Sequence, residues 1–494
     1  MIRAFDNSYT ALPARFFAKV APTKVREPIV RALNAELVEL LALDEVLGLD
    51  RESLRGEGGS AILSGNAVPT GAASIALAYA GHQFGRFVPQ LGDGRAILLG
   101  EIVGRDGARR DLQWKGAGPT PFSRNGDGRA ALGPALREYL VSEAMAALGI
   151  PTTRALSVVT TGEPVLRDEP LPGAVLVRVA RSHLRVGTFE YFAARRDREA
   201  LEALTTYALH RHYPSAVDTG NDALALLDGV IAAHAELVAR WLGVGFIHGV
   251  MNTDNTSISG ETLDYGPCAF LDEYDPAKRF SSIDHGGRYA FANQPRIAQW
   301  NMACFAEALL PLLAPREEDG VRLATASLER FPELFRAARS RVMRDKLGLE
   351  RAEDGDDALT ADLFARMSAN EVDHTLFFRR LSSSAADPSR DGATAALFDD
   401  PSAFHDWAKT WRARLDREPR AADARSRAML GVNPAIIPRN HRVEEVLAAA
   451  IGGNFAPFEA LHRALARPFV DPEDDRWSAP PEPEERVRAT FCGT

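Results

Sequence analysis

Two runs, the largely apolar 96–103 and 109–115 with its alternating Leu112 and Trp114, predict two strands joined by a turn at 104–108. On the second strand Leu112 and Trp114 share one face, and Asp111, Gln113 and Lys115 share the other. A glycine-rich stretch, 116–133, comes next. Apolar residues then recur every four positions at Leu136, Leu140, Ala144 and Leu148, predicting a helix over 134–148. Pro134 suits its first turn, and Gly149 followed by Pro151 ends it. A longer helix is predicted over 221–242, with Leu224, Leu227, Ile231, His234, Val238 and Trp241 as its buried stripe. His234, lying on that stripe, reads as a hydrogen-bonded core histidine.

From about residue 60 to 189 the chain is rich in glycine and strand-like runs, and beyond that it is mostly helical. The expected class is therefore α+β, with a boundary near residue 190. Residues 1–60 form an N-terminal extension, 61–190 a β-rich part and 191–494 a helical part. The stretches 353–357 and 382–390 read as surface loops, and the proline- and acid-rich 468–494 as an extended tail over the surface.

Composition narrows the class. At 494 residues the chain is too long for one small core, and 46% hydrophobic with 25% charged residues is ordinary for a soluble globular protein. No apolar run approaches the ~20 residues needed to span a bilayer. The opening MIRAFDNSYTALPARFF has no unbroken apolar segment of the secretory kind, so a cytoplasmic protein, monomeric by default, is expected. A net charge of −9 argues against nucleic-acid binding and leaves room for a local basic pocket. Cys268, Cys304 and Cys492 are widely separated with no CxxC spacing, so neither a structural zinc site nor a disulfide framework is expected. Cys268 and Cys304 read as small core residues.

Candidate chemistry concentrates in His248–Gly266, HGVMNTDNTSISGETLDYG. Residues 256–259 and 262–264 read as two short strands joined by a type II′ turn at Gly260-Glu261. In that register Ser259 faces Thr262, Ile258 faces Leu263 and Ser257 faces Asp264. Asn255 then lies on the face of Asp264, a diagonal neighbour at roughly 7–8 Å, so an amide oxygen and a carboxylate can converge on one hard cation. Asp254 adds a carboxylate nearby; Asp254 and Asn255 equally suit a simple turn. Elsewhere, Arg178 sits in the apolar run LVRVA and needs an anionic partner, either a carboxylate or a phosphate. Lys115 alone would pass for an exposed strand lysine, Glu138 for a solvated helix charge, and a GDG for a tight turn.

The segment resembles a kinase catalytic loop and DFG motif, with His248 at the histidine of HRD and Asp264-Tyr265-Gly266 at DFG. Asn255 follows Val250 by five residues, the kinase spacing from catalytic Asp to metal-binding Asn, but Val250 cannot accept a proton. Together with FDNSYTALP (5–13), YAGHQFGRFVPQLGDGRA (79–96), LQWKGAGPTPFSRNGDGRA (112–130) and DHGGRYAFANQP (284–295), the chain is similar nearly end to end to the selenoprotein O, or YdiU, family of protein adenylyltransferases.

That resemblance implies a protein-kinase-like bilobal fold in which ATP sits reversed, its α-phosphate towards the acceptor. It implies Asp254 as the base, and Asn255 and Asp264 as ligands of Mg²⁺, with Mn²⁺ and UTP as variants within the family. Lys115, paired with Glu138, contacts phosphate together with Arg178 and Arg185. Gly92, Gly94, Arg95, Asp127, Gly128 and Asp264 contact the nucleotide, and the acceptors are Ser, Thr or Tyr hydroxyls of proteins. Many family members carry a cysteine or selenocysteine near the carboxyl terminus, where this chain has Cys492. Some bacterial relatives pair it with a loop cysteine; here the corresponding KRFSSIDHGGRY has none, so such a latch is not expected. The rival readings are a γ-phosphate-transferring kinase, against which Val250 counts, and a nucleotide-binding pseudokinase scaffold, which needs neither base nor metal pair.

Overall fold

The computed structural model describes residues 4–217 and 220–491, so Cys492 lies outside the described residues. The strands, in chain order, are β1 (Phe17–Lys19), β2 (Ile29–Leu33), β3 (Ile75–Leu77), β4 (Gly81–Gln83), β5 (Arg86–Val88) and β6 (Ala96–Val103). They continue with β7 (Arg109–Lys115), β8 (Ala130–Ala131), β9 (Arg154–Leu166), β10 (Pro170–Ala180), β11 (Phe246–Ile247) and β12 (Ala269–Phe270). The main sheet is antiparallel, in the order β1-β3-β6-β7-β10-β9-β2, with β8 pairing β10 off that path. β6 and β7 have the predicted bounds, and Gly104 N–H donates to Ala108 O across the turn between them. Both edge strands come from the first 60 residues, so this segment is built into the sheet as well as packed on it.

Both faces of the sheet are covered. Leu112 and Trp114 of β7 meet Val175, Val177 and Val179 of β10 under the short helices α1 (Ala35–Leu40), α2 (Leu43–Leu47) and α3 (Glu57–Leu63). The opposite face carries α4 (Leu132–Ala147), whose Ala135, Leu136 and Leu140 pack on Ala174 and Leu176. Two helices near the end of the chain, Asn440–Ile451 and Ala456–Leu465, back α4 through Val443, Leu447, Phe458 and Leu461. α4 starts two residues before the predicted position, leaving Pro134 in its first turn, and Gly149 follows it at φ +75°.

Beyond the sheet come α5 (Val186–Ala194), α6 (Arg198–His212), α7 (Asp222–Gly243) and α8 (Gln294–Leu313). The predicted boundary near 190 falls inside α5. Asn221 caps α7 by accepting the Leu224 N–H, and the expected stripe is buried except for Leu224, which stays partly exposed. His234 is a core histidine as expected: it is buried, with Nε2 2.7 Å from the Ser257 carbonyl.

The two stretches read as surface loops keep their surface turns, at 353–355 and 387–390, but depart from that reading at one end each. Asp356 begins the helix Asp356–Ala369 and is buried, because it accepts from the equally buried Arg414 at 2.8 Å. Ser382 and Ser384 end the helix His374–Ser384 in full burial, where the Asn433 amide donates to Ser382 and Thr394 bonds Ser384. In the tail, Trp477 is buried against the α4 layer and Thr490 pairs with Ser281. Among the described residues no helix is long and apolar enough to cross a membrane.

Leu136, fully buried between the sheet and the backing helices, is a sensitive probe of this layering. Leu136→Ala is expected to destabilise by about 3 kcal/mol in urea unfolding. Leu166→Ala, at a side chain 70% exposed, should stay within about 0.5 kcal/mol of wild type.

Candidate active site

Direct cross-strand partners point to the same side of a sheet. Gln113 lies opposite Arg178 and Lys115 opposite Leu176, so Lys115 and Arg178 emerge side by side on the α4 face. α4 presents Glu138 to both of them. Lys115 Nζ donates to Glu138 Oε2 at 2.6 Å, and Arg178 Nε donates to Glu138 Oε1 at 2.6 Å. Asp264 completes the set: its Oδ1 accepts from Lys115 at 2.8 Å and from Arg178 Nη2 at 3.3 Å. Burial alone would raise both carboxyls. The charges of Lys115 and Arg178, joined at Asp264 by Arg95, hold Asp264 far below the usual carboxylate range and Glu138 below its own. Both acids are therefore held ionised.

The loop that carries Asp264 does not form the predicted hairpin. Thr256 pairs with Thr262, Ser257 bridges Arg185, and the five residues between 256 and 262 make a wider loop. Its polar side chains explain the shift, since Ser257 bonds Ser259, Ser259 donates to Glu261, and Glu261 accepts the Arg181 N–H. This network turns those side chains inward on themselves, and burial pushes Glu261 up to about 7. Gly260, at φ +73°, is needed where a Cβ would come within 2.7 Å of Ala233 on α7.

Asn255 and Asp264 nevertheless line one cleft of about 330 Å³, together with Gly92, Gly94, Arg95, Lys115, Asp127, Gly128, Arg178, Arg185 and Asp254. Glu138 stands behind Lys115. Seven basic side chains against four carboxylates line this cleft in a chain of net charge −9, so its local field favours an anion. Two glycine loops form one wall. A Cβ on Gly92 would strike the Phe122 ring at 2.4 Å, and one on Gly128 would strike the Gly118 carbonyl at 2.1 Å. These glycines are thus required by loop-on-loop packing, whatever else approaches their backbones. At the rim, Asp127 pairs with Arg167 at 2.9 Å, and that hydrogen bond holds its carboxyl low.

Asp254 sits on a short helical turn, Thr253–Asn255, beneath β4. It is 8% exposed, and burial pushes its carboxyl up to about 6 against the opposing charge of Arg185. Gln83 Nε2 lies 3.4 Å from its Oδ2, while the buried Oδ1 has no hydrogen-bond partner among the described residues. Arg185 is fixed by stacking on Tyr79 at 4.3 Å and by donating to the Asp254 backbone carbonyl at 2.9 Å. Val250 is buried, and its carbonyl accepts the Asn255 amide N–H.

The sequence pattern did not point to Asp93, Gln83 or Tyr79, although all three lie within a motif already singled out. Asp93 is 1% exposed and accepts from the Leu77 N–H and the Gln113 amide, with Arg185 3.6 Å away. A buried carboxylate inside a glycine-rich turn was the available signal.

Cationic strand residues, a helix glutamate and a loop aspartate thus meet around one polar cleft with an excess of cations. The family described as "Protein adenylyltransferase SelO" matches residues 2–466. The protein nucleotidyltransferase YdiU of Rhodopseudomonas palustris (strain BisB5) is 59% identical over 492 residues, covering 99% of each chain. The YdiU proteins of Bradyrhizobium diazoefficiens and Methylorubrum populi are 58% and 59% identical, again over 99% of each chain. The chain belongs to the SelO/YdiU family of protein nucleotidyltransferases.

Glu138→Ala would leave two buried cations sharing one carboxylate. It is expected to destabilise by about 3 kcal/mol or more in urea unfolding, with Glu138→Gln intermediate. Equal stability of wild type and Glu138→Ala would remove the network from its structural role.

Proposed function

We propose that the chain transfers AMP from ATP to Ser, Thr or Tyr hydroxyls of other proteins and releases pyrophosphate. The observation that carries this reading is Asp254, a largely buried carboxylate lining the cation-rich cleft four residues beyond the apolar Val250. A kinase-type base is absent at Val250, and Asp254 is the carboxylate free to take a proton. Family membership supports nucleotidyl transfer, and the cleft's excess of cations supports a polyphosphate substrate.

In this reading the fold is kinase-like and bilobal, with 61–190 as the smaller lobe, 191–494 as the larger and 1–60 as an extension. Lys115, Arg178 and Arg185 hold the β- and γ-phosphates, while Arg95, Asp127 and the backbones of Gly92, Gly94 and Gly128 line the rest of the nucleotide. Asn255 and Asp264 would hold Mg²⁺ or Mn²⁺, and the donor set fits. The Asn255 amide nitrogen is turned to Val250, freeing its oxygen, and Lys115 and Arg178 engage only Oδ1 of Asp264. When bound, such a cation offsets charge on the phosphate oxygens. Asp254 accepts the proton of the incoming hydroxyl, whose oxygen attacks the α-phosphorus. The bond from the α-phosphorus to the bridging oxygen breaks, and pyrophosphate departs.

ATP labelled separately at the α and γ positions tests the choice of group. Label is expected on protein only from the α position, and transfer from the γ position alone would establish a kinase instead. The pH profile tests the base. Asp254 is ionised above its value of about 6, so transfer should be constant at higher pH and fall about tenfold per unit below it. Asp254→Asn should abolish transfer while nucleotide still binds; full activity in that variant removes Asp254 from the mechanism.

A further inference from the structure

A second cavity, of about 840 Å³, opens beside β4 between α5 and α8, away from the nucleotide cleft. His82 of β4, Glu190 of α5 and Cys304 of α8 meet in its wall. A ring nitrogen, a carboxylate oxygen and the thiol sulfur all lie within 4.8 Å of one another. His82 Nδ1 is 2.5 Å from Glu190 Oε1. The frame is firmly held. Phe189 and Phe305, the sequence neighbours of Glu190 and Cys304, pack edge to face at 4.9 Å, and the His82 N–H donates to Thr253 Oγ1 at 2.6 Å. The second oxygen of Glu190 accepts from the Thr253 hydroxyl at 2.5 Å, the kind of outer contact that orients a ligating carboxylate.

A core hydrogen bond accounts for His82 and Glu190 but gives no reason for a thiol beside them, facing a cavity. Imidazole, carboxylate and thiolate from three separate elements, with a further position open to the cavity, suit a borderline-soft ion such as zinc. Cysteine spacing gives no hint of this, because the three residues lie far apart in the chain. We propose that His82, Glu190 and Cys304 bind one zinc-class divalent ion, at a site separate from the oxygen donors Asn255 and Asp264. On binding, the Cys304 S–H bond breaks, a sulfur–metal bond forms and the proton leaves to solvent. The imidazole proton moves to Nε2 so that Nδ1 can ligate. The ion fixes Glu190, hence Thr253, and with it the turn that carries Asp254.

Titrating the full chain, freed of metal by a chelator, with Co²⁺ tests this without reading transferase activity. A sulfur-to-cobalt charge-transfer band saturating at one equivalent is expected, unchanged in Asp264→Ala, which removes a ligand of the other site. Cys304→Ser should lose the band while keeping wild-type nucleotide binding, and His82→Gln should weaken Co²⁺ binding by about tenfold or more. Zn²⁺ should bleach the band and protect Cys304 from alkylation, read by peptide mass spectrometry. No band in the wild-type chain, or a band that survives Cys304→Ser, overturns the proposal.

Discussion

The site depends on one buried cluster of charge: Lys115 and Arg178 shared between Glu138 and Asp264. Its four members come from two strands, a helix and a loop, so it fixes the distance between the sheet and the 248–266 segment. Ions this deeply desolvated persist only when paired, and the geometry here supplies each carboxylate with two donors. The same arrangement sets the electrostatics of the cleft. Glu138 is satisfied behind the strand, whereas Asp264, 24% exposed in its side chain, is held ionised at the cleft wall.

Around this cluster the protein separates two kinds of acid. Asp264 is held low by neighbouring cations, and Asp254 is held high by burial with little hydrogen bonding. Two aspartates of one cleft are thus shifted in opposite directions, and the difference comes from surroundings rather than residue type. The excess of basic side chains in that cleft is local, set against an acidic chain, and it concentrates attraction for anions there.

Elements with strong periodicity were legible from the sequence. β6 follows from an apolar run, β7 from alternation, α4 from apolar recurrence with end signals, and α7 from its apolar stripe, all local signals of burial. The candidate site was legible mainly through its likeness to a family; spacing alone left Asp254 and Asn255 open to a turn. What escaped were polar residues buried by distant partners. Ser257, Ser259 and Glu261 form their own network in place of a hairpin register, Asp356 goes inside because Arg414 meets it, and Asp93 because Leu77 and Gln113 do. No local window contains those partners.

The backing of α4 has a consequence for how the protein is made. The helix that presents Glu138 is covered on its outer side by residues 440–465, while the sheet it rests on draws both edges from residues 17–33. During synthesis the sheet, α4 and the Asp264 loop all emerge before those covering helices. Until those helices have emerged and docked, the apolar outer face of α4 lacks its cover. The layer that presents Glu138 to Lys115 and Arg178 is thereby completed only once residues 440–465 have been made.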